Sequence, residues 1–359
     1  RNTDADGVAM PSSTAGGVAF VDVFGDADYV TAASPVLIYY NNLGNTRADY
    51  IGEATAHELG HNLGLSHDGQ TGGTEYYGGH GSGETSWGPI MGTGYNRNVS
   101  QWSKGEYYLA NNPQDDLAII ASHLGYRADE AGGEPATAGV ATVSGTSLSA
   151  TGILSPGESD AYAFTTGAGA ISLRASPYRA ASNTYGGDAD LKLELLNAAG
   201  TVIATADPTD TTTVSLSYPS AVPGTYYARL SPSGTGSPLS TTPTGYTNYA
   251  SIGQYTITGT IAATTPTIVS AGNVSAPAAQ VFSFQILATN SPTSYSATGL
   301  PEGLTLDAGT GVIAGRPTVT GTFSVTLSAT NALGTGTASL TLTVTDAAPA
   351  VLSTSSARR

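Results

Sequence analysis

Residues 57 to 68 read His-Glu-Leu-Gly-His-Asn-Leu-Gly-Leu-Ser-His-Asp, a set of side chains able to hold a divalent metal ion and work beside it. His57 and His61 stand four residues apart, so a helix stacks both imidazoles on one face, a turn apart. Glu58 follows the first histidine and is free to take a proton from water at the metal without occupying a coordination position. Gly64 comes three residues after His61, where the absence of a Cβ lets a helix stop and the chain turn. That turn can return His67 as a third ligand. Three protein ligands and one open position define a catalytic zinc centre, whereas structural zinc sites close all four.

The elements needed to position these groups are legible around them. Pro35–Tyr40 reads as a strand, and helix formers from Glu53 to Ala56 lead into the histidines. With Gly64 and His67 included, the motif resembles the signature of the metzincin clan of zinc endopeptidases at every defined position. Its Asn62-Leu63-Gly64 centre and the Asp68 after the third histidine look most like the reprolysin (adamalysin) branch. That resemblance implies Zn²⁺ held by His57, His61 and His67, with Glu58 as general base. It also implies a methionine turn beneath the ligands, which Gly88-Pro89-Ile90-Met91-Gly92 supplies, with Met91 as an apolar floor. Gly17–Val23 resembles the edge strand that lines the substrate cleft in this clan. Because a further sheet and helix precede that strand in metzincins, the front of the catalytic domain is expected to lie upstream, together with any signal and pro-segment.

The sequence departs from the clan in two respects. Branches with a metal-binding or oxyanion-binding tyrosine place it two residues after the methionine. Here that position is Thr93, and Tyr95 follows two later as a candidate transition-state or substrate contact. Animal reprolysins carry cysteines around the methionine turn, and this chain has none, which excludes disulfides and thiolate metal sites. Asp68 is expected to brace the methionine turn or a ligand imidazole with its carboxylate. His80 reads as an exposed loop histidine, Trp87 and Trp102 as packing, and His123 as a basic residue suited to a helix C-terminus. Ser100–Tyr108 looks like a helix start, and Asp115–Ile120 like the body of a helix ending near Gly125.

Composition sets the wider frame. The 359 residues include 46 Gly and 19 Pro, only 11% are charged, and the net charge is −15. Few charges and recurrent short alternating segments describe a β-rich extracellular protein of two or three domains, and the lack of cysteine favours a bacterial source. Residues 1–130 hold 5 basic and 16 acidic side chains, and residues 131–359 hold 7 and 11. A basic footprint for nucleic acid is missing, and no apolar run approaches the ~20 residues that cross a bilayer. The clusters Asp4/Asp6, Asp26/Asp28 and Asp188/Asp190 have spacings that Ca²⁺ can use, although plain turns account for them better.

The resulting expectation is a multidomain chain: an α+β metzincin-like catalytic domain, N-terminally truncated, at 1–130, followed by two all-β sandwich domains. A Gly/Pro-punctuated linker ends the first. Residues 136–262 alternate strand-like segments with turns and resemble the bacterial pre-peptidase C-terminal domain, a jelly-roll-like module. Residues 266–346 carry Leu-Pro-x-Gly-Leu and Gly-x-Ile-x-Gly-x-Pro phrases and resemble the Ig/cadherin-like repeats of bacterial surface proteins. Residues 347–359 read as a tail or linker. Together these imply a secreted or cell-surface zinc endopeptidase acting on proteins or peptides. Its sandwiches would space it from a surface, bind surface or matrix components, or be trimmed during maturation. The competing expectation is an adhesive or structural surface protein with a vestigial peptidase domain.

Overall fold

The computed structural model describes residues 11–12, 14–30, 36–44, 47–179, 187–270, 272–331 and 333–346. The Asp4/Asp6 cluster, Pro35 and the 347–359 tail lie outside them. Most regular structure is β, and among the described residues there are two α-helices, α1 (Ala48–Asn62) and α2 (Asp116–Leu124).

Around α1 the sheet structure is sparse. β1 (Gly17–Val18) pairs antiparallel with β2 (Leu37–Ile38), each two residues long. The edge strand expected over Gly17–Val23 therefore ends at Val18, and the reason is local. The Asn62 side-chain amide donates to the Phe20 carbonyl at 2.7 Å. Asp22 N–H donates to His61 O, and Val23 and Phe24 N–H both donate to Asn62 O. Residues 20–24 thus bring additional donors to the last carbonyls of α1, and cannot continue as a strand. Beyond the helix, β3 (Trp87–Pro89) and β4 (Val99–Gln101) pair in parallel. The helix start expected at Ser100–Tyr108 is absent: Ser103 N–H is taken by the Asp116 carboxylate at 2.9 Å, and Gly105 sits at φ +80°. α2 has the Asp115 carboxylate as its N-cap and Gly125 as its C-cap.

The following block is a two-sheet sandwich. Its strands are β5 (Gly139–Val140), β6 (Thr142–Ser144), β7 (Ser147–Leu154), β8 (Asp160–Thr166), β9 (Gly169–Pro177), β10 (Leu191–Leu196), β11 (Val202–Ala206), β12 (Val214–Ala221), β13 (Gly224–Pro232) and β16 (Gly253–Thr260). The sheets run β11-β10-β13-β8-β5 and β12-β9-β16-β7-β6. Period-2 alternation explains the packing: Ile171, Leu173 and Ala175 of β9 face Leu191, Leu193 and Leu195 of β10 across one core, all nearly inaccessible. Between β13 and β16 the chain makes a separate hairpin, β14 (Thr235–Ser237) with β15 (Thr244–Tyr246). The last block, β17 (Asn273–Pro277) to β23 (Gly334–Thr345), forms a four-stranded and a three-stranded sheet around Ile313, Val325, Leu327 and Leu342.

Candidate active site

The centre is built on the last two turns of α1. Leu63 ends the helix, and Gly64 at φ +93° reverses the chain, a conformation that a side chain would strain. Leu65 N–H returns to Gly60 O at 3.0 Å and Gly64 N–H to His61 O at 2.9 Å, the paired bonds of a Schellman C-cap. The reversal carries His67 back over the helix. Gly60, between the two helical histidines, lies where an added Cβ would come within 2.7 Å of the Met91 sulfur. Met91 is fully buried there, so the methionine turn packs directly beneath the ligand-bearing turn.

His57, His61 and His67 come together, with candidate ligand nitrogens all within 4.8 Å of one another. Each Nδ1 is already engaged: His57 with Ile90 O at 2.8 Å, His61 with Leu65 O at 2.8 Å, and His67 with Glu75 Oε1 at 2.9 Å. All three partners are acceptors, so each ring donates from Nδ1 and a neutral ring presents Nε2 as a lone pair. His61 Nε2 and His67 Nε2 then stand 3.0 Å apart with no proton to share. Burial holds His57 down to about 4 and lowers His61 as well, which keeps both imidazoles neutral. Two buried imidazoles and the more open His67, converging through Nε2, suit a borderline-soft divalent cation, and this donor set fits zinc.

Glu58 lies beside the histidines, buried, and burial pushes its carboxyl up to about 7. Gly17 of β1 sits directly over it: a Cβ at residue 17 would fall 2.5 Å from Glu58 Cγ and 2.6 Å from Oε1. A cleft of about 620 Å³ opens here, lined by Gly16, Gly17, His57, Glu58, His61, His67, Tyr76, Thr93 and Tyr95. Tyr95 therefore faces the same space as the histidines despite its shifted spacing. Burial, then the carboxylates of Glu53 and Glu58, push its phenol up to about 12, so it remains a donor.

Two residues around the ligands depart from the sequence reading. The Asp68 carboxylate holds no imidazole; it pairs with Asn112, is pushed up to about 7 by burial, and leaves Oδ2 without a hydrogen bond. Only the Asp68 main chain meets the methionine turn, through N–H to Met91 O at 2.8 Å. The brace falls instead to Glu75, and Tyr76 lies on the His67 ring at 4.1 Å between centroids. Neither was found from sequence, although an acidic and an aromatic residue kept inside Thr71–Gly79, a loop otherwise rich in glycine, was an available signal. His80 is also not an exposed loop residue: it is buried, with Nε2 2.6 Å from Gly245 O. Asp26, Asp28, Asp188 and Asp190 join no metal-sized cluster among the described residues; the second such group is Asp129, Glu158 and Asp160.

Two family matches accord with this picture. Residues 2–68 match the metallo-peptidase family M12B, reprolysin-like, and residues 265–345 match the Putative Ig domain family. Each covers less than half of the chain. No curated protein matches. Among solved structures, a putative α-galactosidase/melibiase from Bacteroides fragilis is 38% identical over 23% of this chain, which spans 18% of that one, with a TM-score of 0.22. The M60 catalytic domain with CBM51-1 and CBM51-2 from Clostridium perfringens ZmpB is 13% identical over 56% of this chain and 19% of that one, TM-score 0.27. The N-terminal Ig1-2 module of Drosophila DLAR is 10% identical over 54% and 98%, TM-score 0.20. Among the described residues no helix is long and apolar enough to cross a membrane.

Proposed function

We propose that this chain is a secreted, bacterial zinc endopeptidase of the metzincin type, hydrolysing peptide bonds in proteins or peptides. The observation that carries the reading is the convergence of three imidazoles whose Nδ1 atoms are all engaged, beside an acid that accepts no hydrogen bond among the described residues, in an open cleft. His57, His61 and His67 would hold the ion through Nε2. Bound there, zinc would supply polarisation of a peptide carbonyl and a lowered pKa of water, towards ~7. The Glu58 carboxylate takes the proton from water and delivers it to the leaving amine. Burial pushes its carboxyl up to about 7 in the metal-free protein, and a bound cation would draw it back towards the carboxylate that accepts the proton. Tyr95 and Tyr76 face the same cleft, and the Tyr95 phenol donates to the substrate carbonyl oxygen as charge develops on it. An extended peptide pairs with the main chain of β1 over its two residues, not along the whole Gly17–Val23 segment.

In the same reading, residues 1–130 form the catalytic domain, 136–262 a sandwich of the pre-peptidase C-terminal type, and 266–346 an Ig-like module. Peptide hydrolysis that is lost on chelation, restored by zinc and abolished in Glu58→Ala is the expected result. Bound zinc of about one ion per chain should disappear in His61→Ala. Hydrolysis that persists through both chelation and Glu58→Ala removes the zinc mechanism, and a chain that binds zinc but cleaves no peptide favours the vestigial alternative.

A further inference from the structure

A sandwich that merely spaced the enzyme from a surface would touch the metal-bearing part through few and polar contacts. The β14–β15 hairpin does more. Tyr246, at its end, is 3% exposed and shares an apolar cluster with Tyr77, Trp87, Val99 and Tyr107 from the metal-bearing part. The Gly245 carbonyl, two residues before Thr247, accepts from His80 Nε2 at 2.6 Å, and Tyr77 Oη lies 2.8 Å from His80 Nδ1. Since Nε2 carries the proton, Nδ1 accepts from the tyrosine, and burial keeps the ring neutral in that tautomer. Gly245 is there for a steric reason: at φ +61°, a Cβ would fall 2.0 Å from Thr235 O across the hairpin.

Tyr77 is in turn the anchor of the loop beneath the third ligand. Its N–H donates to Asp68 O at 2.7 Å and its carbonyl accepts from Thr93 N–H at 3.0 Å, tying the residue after His67 to the methionine turn. Its ring stacks on Tyr107 at 4.7 Å and 8° between planes. The two residues immediately before it are Glu75 and Tyr76, which grip His67 by hydrogen bond and by ring contact. His67 is the most open of the three ligands, its side chain 25% exposed, so its position depends most on that grip.

We infer that the β14–β15 hairpin of the sandwich is an integral support of the metal centre, with His80 as the positioning residue that transmits it through Tyr77 to the Glu75–Tyr76 clamp on His67. The inference rests on the zinc reading above and deepens it. It also bears on maturation: removal of the whole 136–262 sandwich would loosen the metal, whereas removal of the chain beyond 262 would not.

The test measures zinc affinity of the full chain by competition with a chromophoric chelator, together with the visible ligand-field spectrum of the Co²⁺-substituted protein. His80→Ala is expected to weaken zinc several-fold, less than the about 10- to 100-fold of removing a direct outer partner of a ligand, and to alter the cobalt bands as His67 loosens. His80→Gln, which keeps a donor for Gly245 O, should recover most of the affinity. Tyr226→Phe, remote in the sandwich and bonded to Val222 at 3.1 Å, controls for general loss of stability and should leave zinc affinity unchanged. Wild-type affinity in His80→Ala overturns the inference, as does an equal loss in Tyr226→Phe. Those results leave the zinc reading standing, whereas wild-type protein that takes up no zinc removes both.

Discussion

Two groups of side chains each bring three candidate ligand atoms within 4.8 Å, and the protein prepares them in opposite ways. In the histidine group every outward nitrogen is committed to an acceptor, two of them main-chain carbonyls, so that one direction remains and all three rings share it. In the acidic group, Asp129 and Glu158 spend oxygens on the turn amides of Ala131 and Ser155. Asp160, wholly buried on β8, accepts from Tyr255 with one oxygen and leaves the other without a hydrogen bond. The histidines are oriented by acceptors of their Nδ1–H groups, two carbonyls and the exposed Glu75 carboxylate, at little electrostatic cost, because imidazole need not be charged to bind. The acidic group instead sets the exposed Asp129 and half-buried Glu158 beside a buried Asp160, whose burial, with their charge, favours its protonated form. Proximity of ligand-type atoms therefore does not by itself distinguish a reactive centre from an electrostatic load; the commitments of the remaining polar atoms do.

The contrast is broken most directly at Glu58. If Glu58 is not the base, Glu58→Gln leaves turnover intact; if it works as read here, the variant keeps about one zinc per chain and loses roughly 10²–10⁴ in kcat, the range for a positioned general base. Parallel measurement of metal content and peptide hydrolysis decides it. A variant that retains full turnover would remove Glu58 from the mechanism.

Glu75→Gln sharpens the same contrast from the ligand side. Gln keeps an acceptor for His67 Nδ1 but not the charge, and Glu75→Ala removes both. Zinc affinity should fall several-fold for Gln and about 10- to 100-fold for Ala. Equal affinity in all three proteins would mean that the ligands are not pre-set by their outer partners, and that the histidine group is no better prepared than the acidic one.

How much of this was legible in the sequence follows from how local each cause is. The helical spacing of His57 and His61, the reversal at Gly64 and the return of His67 depend on a dozen consecutive residues, and α1 ends where that pattern says it should. Strands β8, β10 and β13 fall on the alternating segments for the same reason. The misreadings share the opposite property. His80 looked exposed because its acceptor, Gly245, is 165 residues away. Gly17–Val23 looked like one strand, yet Asn62 and the helix terminus claim its second half. Asp68 stood beside a ligand and was assigned the brace, but the loop that carries Glu75 to His67 is shaped by Tyr77 contacts that no spacing encodes.

The acidic half of the contrast is tested at Asp160. Burial first, then the charges of Glu158, Glu130 and Asp129, push its carboxyl up to about 7, against the hydrogen bond from Tyr255. Below about pH 4 the group is protonated in both folded and unfolded chains and contributes no pH dependence. Between about 4 and 7 the unfolded chain ionises while the folded one keeps its proton, so this residue lowers stability as pH rises, and the loss levels off above about 7. Asp160→Asn retains an acceptor for Tyr255, offers donors to the neighbouring acids and has no proton to hold. In chelator-treated protein its stability relative to wild type should rise from near zero at pH 4 to a gain of about 1–3 kcal/mol at pH 8, read as thermal midpoints across that range. An Asn variant that is less stable at pH 8, or equally displaced at every pH, would show that the carboxylates are not a load on the fold, and the two clusters would then differ in chemistry but not in preparation.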